Sequence, residues 1–280
     1  METNDEIARA VQWLEDADGL LVTAGAGMGV DSGLPDFRGA EGFWRAYPAL
    51  RASGIRFEEI ASPETFRREP TLAWAFYGHR LNLYRRTVPH RGFDILRKWA
   101  GTKNQGAFVF TSNVDGQFQK TGFTDEKIAV CHGSILWLQC IDECSQQTWA
   151  ADDLVPTIDD HRFRLISPVP TCPFCGAVAR PNILMFNDSH WIEAHSQRQI
   201  RQLESWIAEC RNLVAIELGA GRAIPTVRRF GEHYARRLIR VNPRDFKVPQ
   251  GRGVGVADTA LHFLERVDRL LCGQPHRRAT

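Results

Sequence analysis

The chain has 280 residues, 43% of them apolar and 24% charged, which is typical of a soluble globular protein. Its formal net charge of +2 gives no support for nucleic-acid binding. There is no apolar run of about 18 residues and no apolar secretory signal, so we expect a cytoplasmic protein with no membrane contact. Seven cysteines in such a protein predict free thiols or a metal site rather than disulfides.

The first half of the chain alternates between helical patterns and short apolar runs. An N-terminal helix is predicted to precede a buried strand at residues 20–24. Residues 57–86 carry helical signals, including Ser62 as an N-cap directly before a proline. Two further buried strands are predicted at residues 108–111 and 128–131, and polar residues follow both.

The second half contains a segment of different composition. Residues 136–181 hold four of the seven cysteines and several prolines with weak periodicity, which indicates an insertion. After it we predict a helix at about 191–211 and strands at 213–216 and 238–241. Asp258 is predicted to cap a closing helix.

This order of elements predicts the α/β class: a Rossmann-like parallel sheet with an inserted helical module and an inserted cysteine-rich module, whose four cysteines suit a zinc ribbon. Polar residues follow several strands, and the carboxyl ends of parallel strands form the ligand-binding edge of such a sheet. The predicted domain boundaries are 1–40, 91–134 and 186–274 for the Rossmann-like domain, 41–90 for a helical module, 135–185 for the zinc-binding module and 275–280 for a tail.

The most informative motif is GAGMGVDSGLPDFRG at residues 25–39. Glycines directly after a strand let a phosphate approach backbone N–H groups, and Asp36, Phe37 and Arg38 add polar and aromatic groups. The alternatives are an ordinary turn and the dehydrogenase fingerprint G-x-G-x-x-G. The third glycine comes one residue early, and no strand ending in an acidic residue follows about 20 residues on. A nicotinamide dinucleotide could therefore bind, but not as in dehydrogenases.

Two cysteine pairs indicate a metal. Cys140 and Cys144 are separated by three residues, and Cys172 and Cys175 by two. Four thiolates suit a closed, structural zinc site, with no position left for water. Buried reduced cysteines are the alternative, but the paired spacing favours zinc.

These motifs together resemble the sirtuin (Sir2-like) family of NAD-dependent protein deacylases, in the same order along nearly the whole chain. The matching motifs are the glycine loop, Ser112-Asn113-Val114-Asp115, His132-Gly133, the two cysteine pairs, Arg180 to Phe186, Asn242 and Gly255 to Asp258. The chain departs from the family pattern at Gly29, Ser112, Phe118 and Gly219 to Gly221.

The resemblance implies that NAD is consumed while an acyl group passes from lysine to the ADP-ribose product, with a structural zinc nearby. His132 would be the general base, assisted by Asn113 and Asp115. The implied NAD-binding residues are Gly25, Ala26, Gly27, Met28, Asp36, Phe37, Arg38, Ser112, Asn113, Asp115, Gly219, Gly221, Asn242 and Ala257. The implied substrate-binding residues are Ala40, Tyr77, Arg80, Ile183, Leu184 and Phe186.

Three of these residues also match the family branch that removes acidic acyl groups. Tyr77 and Arg80 lie three residues apart, so a helix would place them on one face, where they could share a carboxylate. Ala40 would leave room for it. We therefore expect a preference for succinyl, malonyl or glutaryl over acetyl groups. A surface Tyr–Arg pair is the alternative.

Other functions remain open at this stage. The same fold and cofactor could support ADP-ribosyl transfer to a protein or NAD hydrolysis. A non-catalytic module that binds NAD or acyl-peptides is a third possibility. The presence of His132 favours deacylation, because glycosidic cleavage by itself requires no base for the ribose hydroxyl. The protein substrate and the oligomeric state are not indicated.

Overall fold

A computed structural model of the chain describes residues 2–36 and 39–273, without the side chains of residues 2, 3 and 39–41. The strands are β1 (Gly19–Ala24), β2 (Ala107–Thr111), β3 (Ile128–Val130), β4 (Gly133–Cys140), β5 (Trp149–Ala150), β6 (Ile158–Asp159), β7 (Arg164–Leu165), β8 (Ala179–Ile183), β9 (Leu213–Leu218), β10 (Arg237–Val241) and β11 (Gly253–Val256). The helices are α1 (Glu2–Asp16), α2 (Gly39–Ala46), α3 (Pro48–Ala52), α4 (Phe57–Ile60), α5 (Pro63–Arg68), α6 (Pro70–Arg86), α7 (Gly92–Ala100), α8 (Gln117–Lys120), α9 (Ala194–Glu209), α10 (Thr226–Tyr234) and α11 (Ala260–Gly273). None of the described helices is long and apolar enough to cross a membrane.

A parallel sheet of six strands organises the larger part of the molecule, in the order β11-β10-β9-β1-β2-β3. Its central strand, β1, is buried along its whole length, as expected for a parallel strand covered on both faces. In register, Leu20 lies opposite Ala107 of β2 and Val214 of β9. The strand order reverses between β1 and β9, and open α/β sheets bind ligands at such a point.

Alternating side chains of β1 supply two separate cores. Leu20 and Val22 pack with α1, α7 and α11 on one face of the sheet. Leu21 packs with α9 and α10 on the other face, in a buried cluster that includes Trp206. Because successive strand residues point to opposite faces, one apolar run anchors both helical layers. The sheet therefore holds the ends of its strands rigidly.

A second lobe joins the helices α2 to α6 to the antiparallel strands β4 and β8. Helix α6 forms its centre and is buried on nearly all sides. The indole Nε1 of Trp74 donates a 2.8 Å hydrogen bond to the carbonyl of Ala179 at the start of β8. A buried polar group of this kind needs a partner, so this bond fixes how α6 packs against β4 and β8.

The predicted α/β class with an added cysteine-rich module is confirmed, and so are the five predicted parallel strands. The helical segment 57–86 consists of three helices, because Pro63 and Pro70 each begin a new one. The Ser62 cap is confirmed, since its hydroxyl accepts a hydrogen bond from the amide of Thr65.

The predicted cap of the last helix was wrong. Helix α11 begins at Ala260, and the hydroxyl of Thr259 accepts the 3.3 Å hydrogen bond from the amide of His262. Asp258 instead accepts a bond from the amide of Thr259. Thr259 therefore takes the capping position, and Asp258 supports it from one residue outside.

Candidate active site

A cavity of about 470 Å³ opens where the strand order of the sheet reverses. Its walls come from the loops after β1, β2, β3 and β9, from α6 and from the end of β8. The predicted site residues that line it are Gly25, Ala26, Asp36, Tyr77, Arg80, Ser112, Asn113, Asp115, His132, Ile183, Leu184, Phe186, Gly219 and Gly221. The predicted cofactor loops and the predicted substrate residues thus share one cavity.

The glycine loops after β1 and β9 pack backbone against backbone. The amide of Gly27 donates a 3.0 Å hydrogen bond to the carbonyl of Gly219. A Cβ at Gly219 would lie 2.3 Å from the carbonyl carbon of Gly27, and Gly219 has a φ of +64°. A Cβ at Gly25 would lie 2.7 Å from the Cα of Ala220. These glycines are therefore required by loop–loop packing, in addition to any approach of a phosphate.

Gly221 differs from those glycines because a Cβ there would meet nothing within 4 Å. It lines the cavity and leaves open space beside the loop after β9. A cradle of loop backbone next to open space, at the carboxyl ends of parallel strands, suits the phosphates of a dinucleotide. The residues present therefore fit such a cofactor.

Asn113 and Asp115 belong to the loop after β2, and hydrogen bonds position both side chains. The side-chain nitrogen of Asn113 donates a 3.0 Å hydrogen bond to the carbonyl of Gly25, which ties this loop to the glycine loop. One carboxylate oxygen of Asp115 accepts a 3.0 Å bond from the amide of Gln117. Burial raises the pKa of Asp115, against the opposing effect of that bond and of the nearby positive charge of Arg80.

His132 follows β3 and forms another part of the cavity wall. Burial lowers its pKa, so the imidazole is neutral near pH 7. Its carbonyl accepts a 3.0 Å hydrogen bond from the amide of Leu184, which places the end of β8 beside it. The next residue, Gly133, has a φ of +76°, and a Cβ there would lie 2.1 Å from the carbonyl oxygen of Asn182. Glycine is therefore required at position 133, where the start of β4 lies against the end of β8.

Tyr77 and Arg80 lie on one face of α6 and are buried at the cavity wall. The guanidinium carbon of Arg80 lies 5.6 Å from the ring centre of Tyr77 and 5.2 Å from that of Phe76. Burial raises the pKa of Tyr77 to about 12, so its phenol stays protonated. This wall offers a cation and a hydroxyl donor to an anionic group.

Sequence reasoning missed Tyr84, which also lines this wall. Its phenol oxygen accepts a 2.9 Å hydrogen bond from the Nε of Arg80. The sequence spacing could have indicated it, because Tyr84 lies four residues after Arg80 and seven after Tyr77, on the same helix face. Val114, Ile224 and Val227 were missed as apolar parts of the lining.

Some predicted residues are placed elsewhere. Among the residues that the structure describes, Gly27, Met28, Asn242 and Ala257 do not line the cavity. Met28 is buried in the sheet core. Asn242 is also buried, and its side-chain nitrogen donates a 3.0 Å bond to the carbonyl of Ala220, beneath the loop. The predicted Phe37 and Arg38 and the side chain of Ala40 lie outside the described residues.

The four predicted zinc ligands come together. The sulfur atoms of Cys140, Cys144, Cys172 and Cys175 all lie within 4.8 Å of one another. Cys140 and Cys175 are 3.5 Å apart at sulfur, and Cys144 and Cys172 are 3.6 Å apart. Sulfur atoms bound to zinc at about 2.3 Å in a tetrahedron would be about 3.8 Å apart. These thiols therefore fit a structural zinc ion.

The fold and the site define an α/β protein with a dinucleotide-type cavity and a four-cysteine module. The Sir2 family model matches residues 25–216, and the chain belongs to the Sir2 family. The predicted resemblance is thus confirmed.

Individual relatives differ in how much of their length is matched. The chain is 27% identical to an NAD-dependent protein deacylase of Aquifex aeolicus over 88% of this chain and 90% of that protein. It is 31% identical to a probable bifunctional ADP-ribose hydrolase/ADP-ribosyltransferase of Fusarium oxysporum over 80% of this chain but only 39% of that protein. A solved Sir2 homologue–NAD complex superposes with a TM-score of 0.71 at 20% identity, covering 95% of this chain and 93% of that one, and supports the fold.

Proposed function

We propose that this chain is an NAD-dependent protein-lysine deacylase. The observation that carries the proposal is one cavity lined by both glycine loops, by His132 and by the end of β8. A base and a cofactor cradle must face the same space for an acyl group to pass between two bound molecules. Relatives named as NAD-dependent protein deacylases, including the Aquifex protein, support the same activity.

Each polar group has a role in this proposal. NAD, when bound, supplies the ribose that accepts the acyl group and releases nicotinamide. The neutral imidazole of His132 accepts a proton from a ribose hydroxyl, which requires a pKa at or below working pH. Asn113, held by its bond to Gly25, and the partly buried Asp115 orient the nicotinamide ribose. The zinc-bound cysteines stabilise the module that carries β4 and β8.

We further propose that the preferred acyl groups end in a carboxylate. Support comes from Arg80, a buried cation in the cavity wall, and from the protonated phenol of Tyr77 beside it. A guanidinium binds a carboxylate through two parallel hydrogen bonds, and a partly dry cavity strengthens them. Lysine carrying a succinyl, malonyl or glutaryl group is therefore the proposed substrate class.

ADP-ribosyl transfer is the second candidate, favoured by the similarity to the Fusarium relative. The two activities differ in what must be present for nicotinamide to be released. A deacylase releases nicotinamide only when an acyl-lysine peptide is supplied. A transferase or hydrolase releases it without that peptide, and a transferase also labels a protein.

The test is to incubate the protein with NAD and peptides that carry acetyl-, succinyl- or succinamoyl-lysine. Succinamoyl replaces the terminal carboxylate by a neutral amide of nearly the same shape. We expect nicotinamide and free lysine in equal amounts, with the succinyl peptide turned over faster than its neutral match. Peptide-independent nicotinamide release would contradict deacylation, and equal rates for the matched pair would contradict the acyl preference.

A further inference from the structure

Tyr84 lies one helical turn after Arg80 and lines the same cavity wall. Its phenol oxygen accepts a 2.9 Å hydrogen bond from the Nε of Arg80. The guanidinium carbon also lies 5.4 Å from the centre of the Tyr84 ring. Tyr84 therefore contacts the guanidinium in two ways, through its oxygen and through its ring.

The bond to Nε restricts how the guanidinium can be oriented. A guanidinium carries five N–H donors in one plane, and it grips a carboxylate with two parallel donors on one edge. When Nε is bound to a phenol oxygen, a paired contact with a carboxylate uses the edge formed by the two terminal nitrogens. The rings of Phe76 and Tyr77 lie close to the same group and limit its rotation.

Two side chains hold the backbone of Tyr84 in place. Its carbonyl accepts hydrogen bonds from the side chains of Gln117, at 3.2 Å, and Lys120, at 2.7 Å. Both belong to α8, which begins two residues after Asp115. The end of α6 is thus tied to the segment that carries a proposed catalytic residue. A phenol carried by a fixed backbone is a better orienting group than one on a mobile segment, because less entropy is lost when substrate binds.

Burial keeps the phenol in its useful form. It raises the pKa of Tyr84, so the hydroxyl is protonated throughout the neutral range. A protonated phenol accepts the hydrogen bond from Arg80 as a neutral group, so it does not become an anion that would pair with the guanidinium in place of the substrate.

We propose that Tyr84 is a positioning residue for acyl-group specificity, which orients the Arg80 guanidinium toward the terminal carboxylate of the substrate. This inference rests on the proposed acidic-acyl deacylase function. It assigns the orientation of Arg80 to a residue outside the Tyr77–Arg80 pair.

The test compares Tyr84→Phe with the unmutated protein on the matched succinyl- and succinamoyl-lysine peptides. The variant keeps the ring and removes only the oxygen that accepts from Arg80. We expect kcat/KM for the succinyl peptide to fall about tenfold, mostly through KM, since the carboxylate is bound equally before and during the reaction. The rate on the succinamoyl peptide should change less than about twofold.

Two controls separate this role from a structural one. Tyr234→Phe removes a phenol that bonds to Glu204 on the surface, and we expect it to leave both peptide rates unchanged. In an Arg80→Lys background, Tyr84→Phe should have almost no further effect on the succinyl rate, because lysine has no Nε edge to orient. That double-mutant comparison also detects a general folding defect, which would lower both rates in both backgrounds.

The outcomes distinguish the two proposals. If the unmutated protein does not prefer succinyl over succinamoyl, the acyl preference and the role of Tyr84 both fail. If the preference exists but Tyr84→Phe lowers both rates equally, or neither, only the role of Tyr84 is overturned. A selective loss on the succinyl peptide that disappears in the Arg80→Lys background supports it.

Discussion

The imidazole of His90 joins the glycine loop to the start of α7. Its Nε2 lies 2.9 Å from the carbonyl oxygen of Met28, and its Nδ1 lies 3.0 Å from the amide of Gly92. An amide can only donate, so Nδ1 must accept and Nε2 must carry the proton. The backbone amide of His90 also donates to the hydroxyl of Ser32. The loop after β1 is thus held by a neutral histidine.

Protonation of His90 is expected to weaken this link. Burial lowers its pKa, although the charges of Asp31 and Glu265 oppose that effect. The unfolded chain therefore takes up the proton first as pH falls, so the stabilisation is full above about pH 6.5 and is lost below it. We predict that His90→Phe lowers the free energy of unfolding by about 2 kcal/mol at pH 7.5, since it leaves two buried polar groups without partners.

Urea unfolding at pH 7.5 and 5.5 measures both effects. The difference between the two pH values should be smaller in His90→Phe than in the unmutated protein. It should not vanish, because burial also lowers the pKa of His79 and His132. His161→Phe, at an exposed position, is the control and should change neither value. An unchanged pH dependence in His90→Phe would contradict the assignment.

The second prediction concerns the pH dependence of catalysis. If His132 is the base, kcat/KM should fall on the acid side with an apparent pKa below the ordinary histidine value of about 6.5, because burial lowers it. His132→Ala should reduce turnover of an acyl-peptide by about a hundredfold or more. An acid limb centred above pH 7, or an unaffected His132→Ala variant, would remove the proposed base.

A third prediction tests the charge in the acyl wall. Arg80→Met keeps much of the aliphatic length of the side chain and removes the guanidinium. We expect kcat/KM for a succinyl peptide to fall by about ten- to hundredfold, while the rate for an acetyl peptide is retained or rises. The comparison is made on one peptide sequence with the two acyl groups. Untouched acidic-acyl rates would show that Arg80 does not bind the carboxylate.

The parallel strands could be predicted because β1, β2 and β9 are compact apolar runs, buried on both faces. Strand β11 was missed, since two of its four residues are glycines. These glycines are there for packing: a Cβ at Gly253 would lie 2.4 Å from the carbonyl oxygen of Leu238. Such close backbone contacts between distant segments leave no periodic signal in the sequence.

The cavity wall was harder to predict than the strands. Helix α6 is buried on almost every side, so its apolar pattern does not indicate which face borders the cavity. Tyr77 and Arg80 were identified only through resemblance, and Tyr84 was passed over although it shares their face. The roles of Gly219 and Asn242 also depend on which loops meet in space.

The fourth prediction concerns the metal. One zinc ion per chain is expected, and Cys175→Ser should lose most of it, because an exposed ligand is removed while the fold of the sheet is left in place. Zinc content by mass spectrometry and the melting temperature measure the effect. Cys272→Ser, an exposed cysteine outside the cluster, is the matched control. Equal zinc in both variants would contradict the four-thiolate site.

The last prediction contrasts two glycines of the loop after β9. Gly219→Ala introduces a Cβ at 2.3 Å from the backbone of Gly27 and a side chain at a φ of +64°, so the two glycine loops must separate. Gly221→Ala introduces a Cβ that meets nothing within 4 Å, at a residue that lines the cavity. We expect Gly219→Ala to lower stability by about 2 kcal/mol or more.

Gly221→Ala should keep the stability but weaken NAD binding, since its methyl group occupies space that the cofactor would use. Urea unfolding and titration with NAD, applied to both variants, separate the two effects. Gly251, like Gly219, has a positive φ but lies outside the cavity lining. Gly251→Ala therefore measures the effect of backbone strain alone, for comparison with Gly219→Ala. Normal NAD affinity in Gly221→Ala would mean that the cofactor does not pass beside this loop.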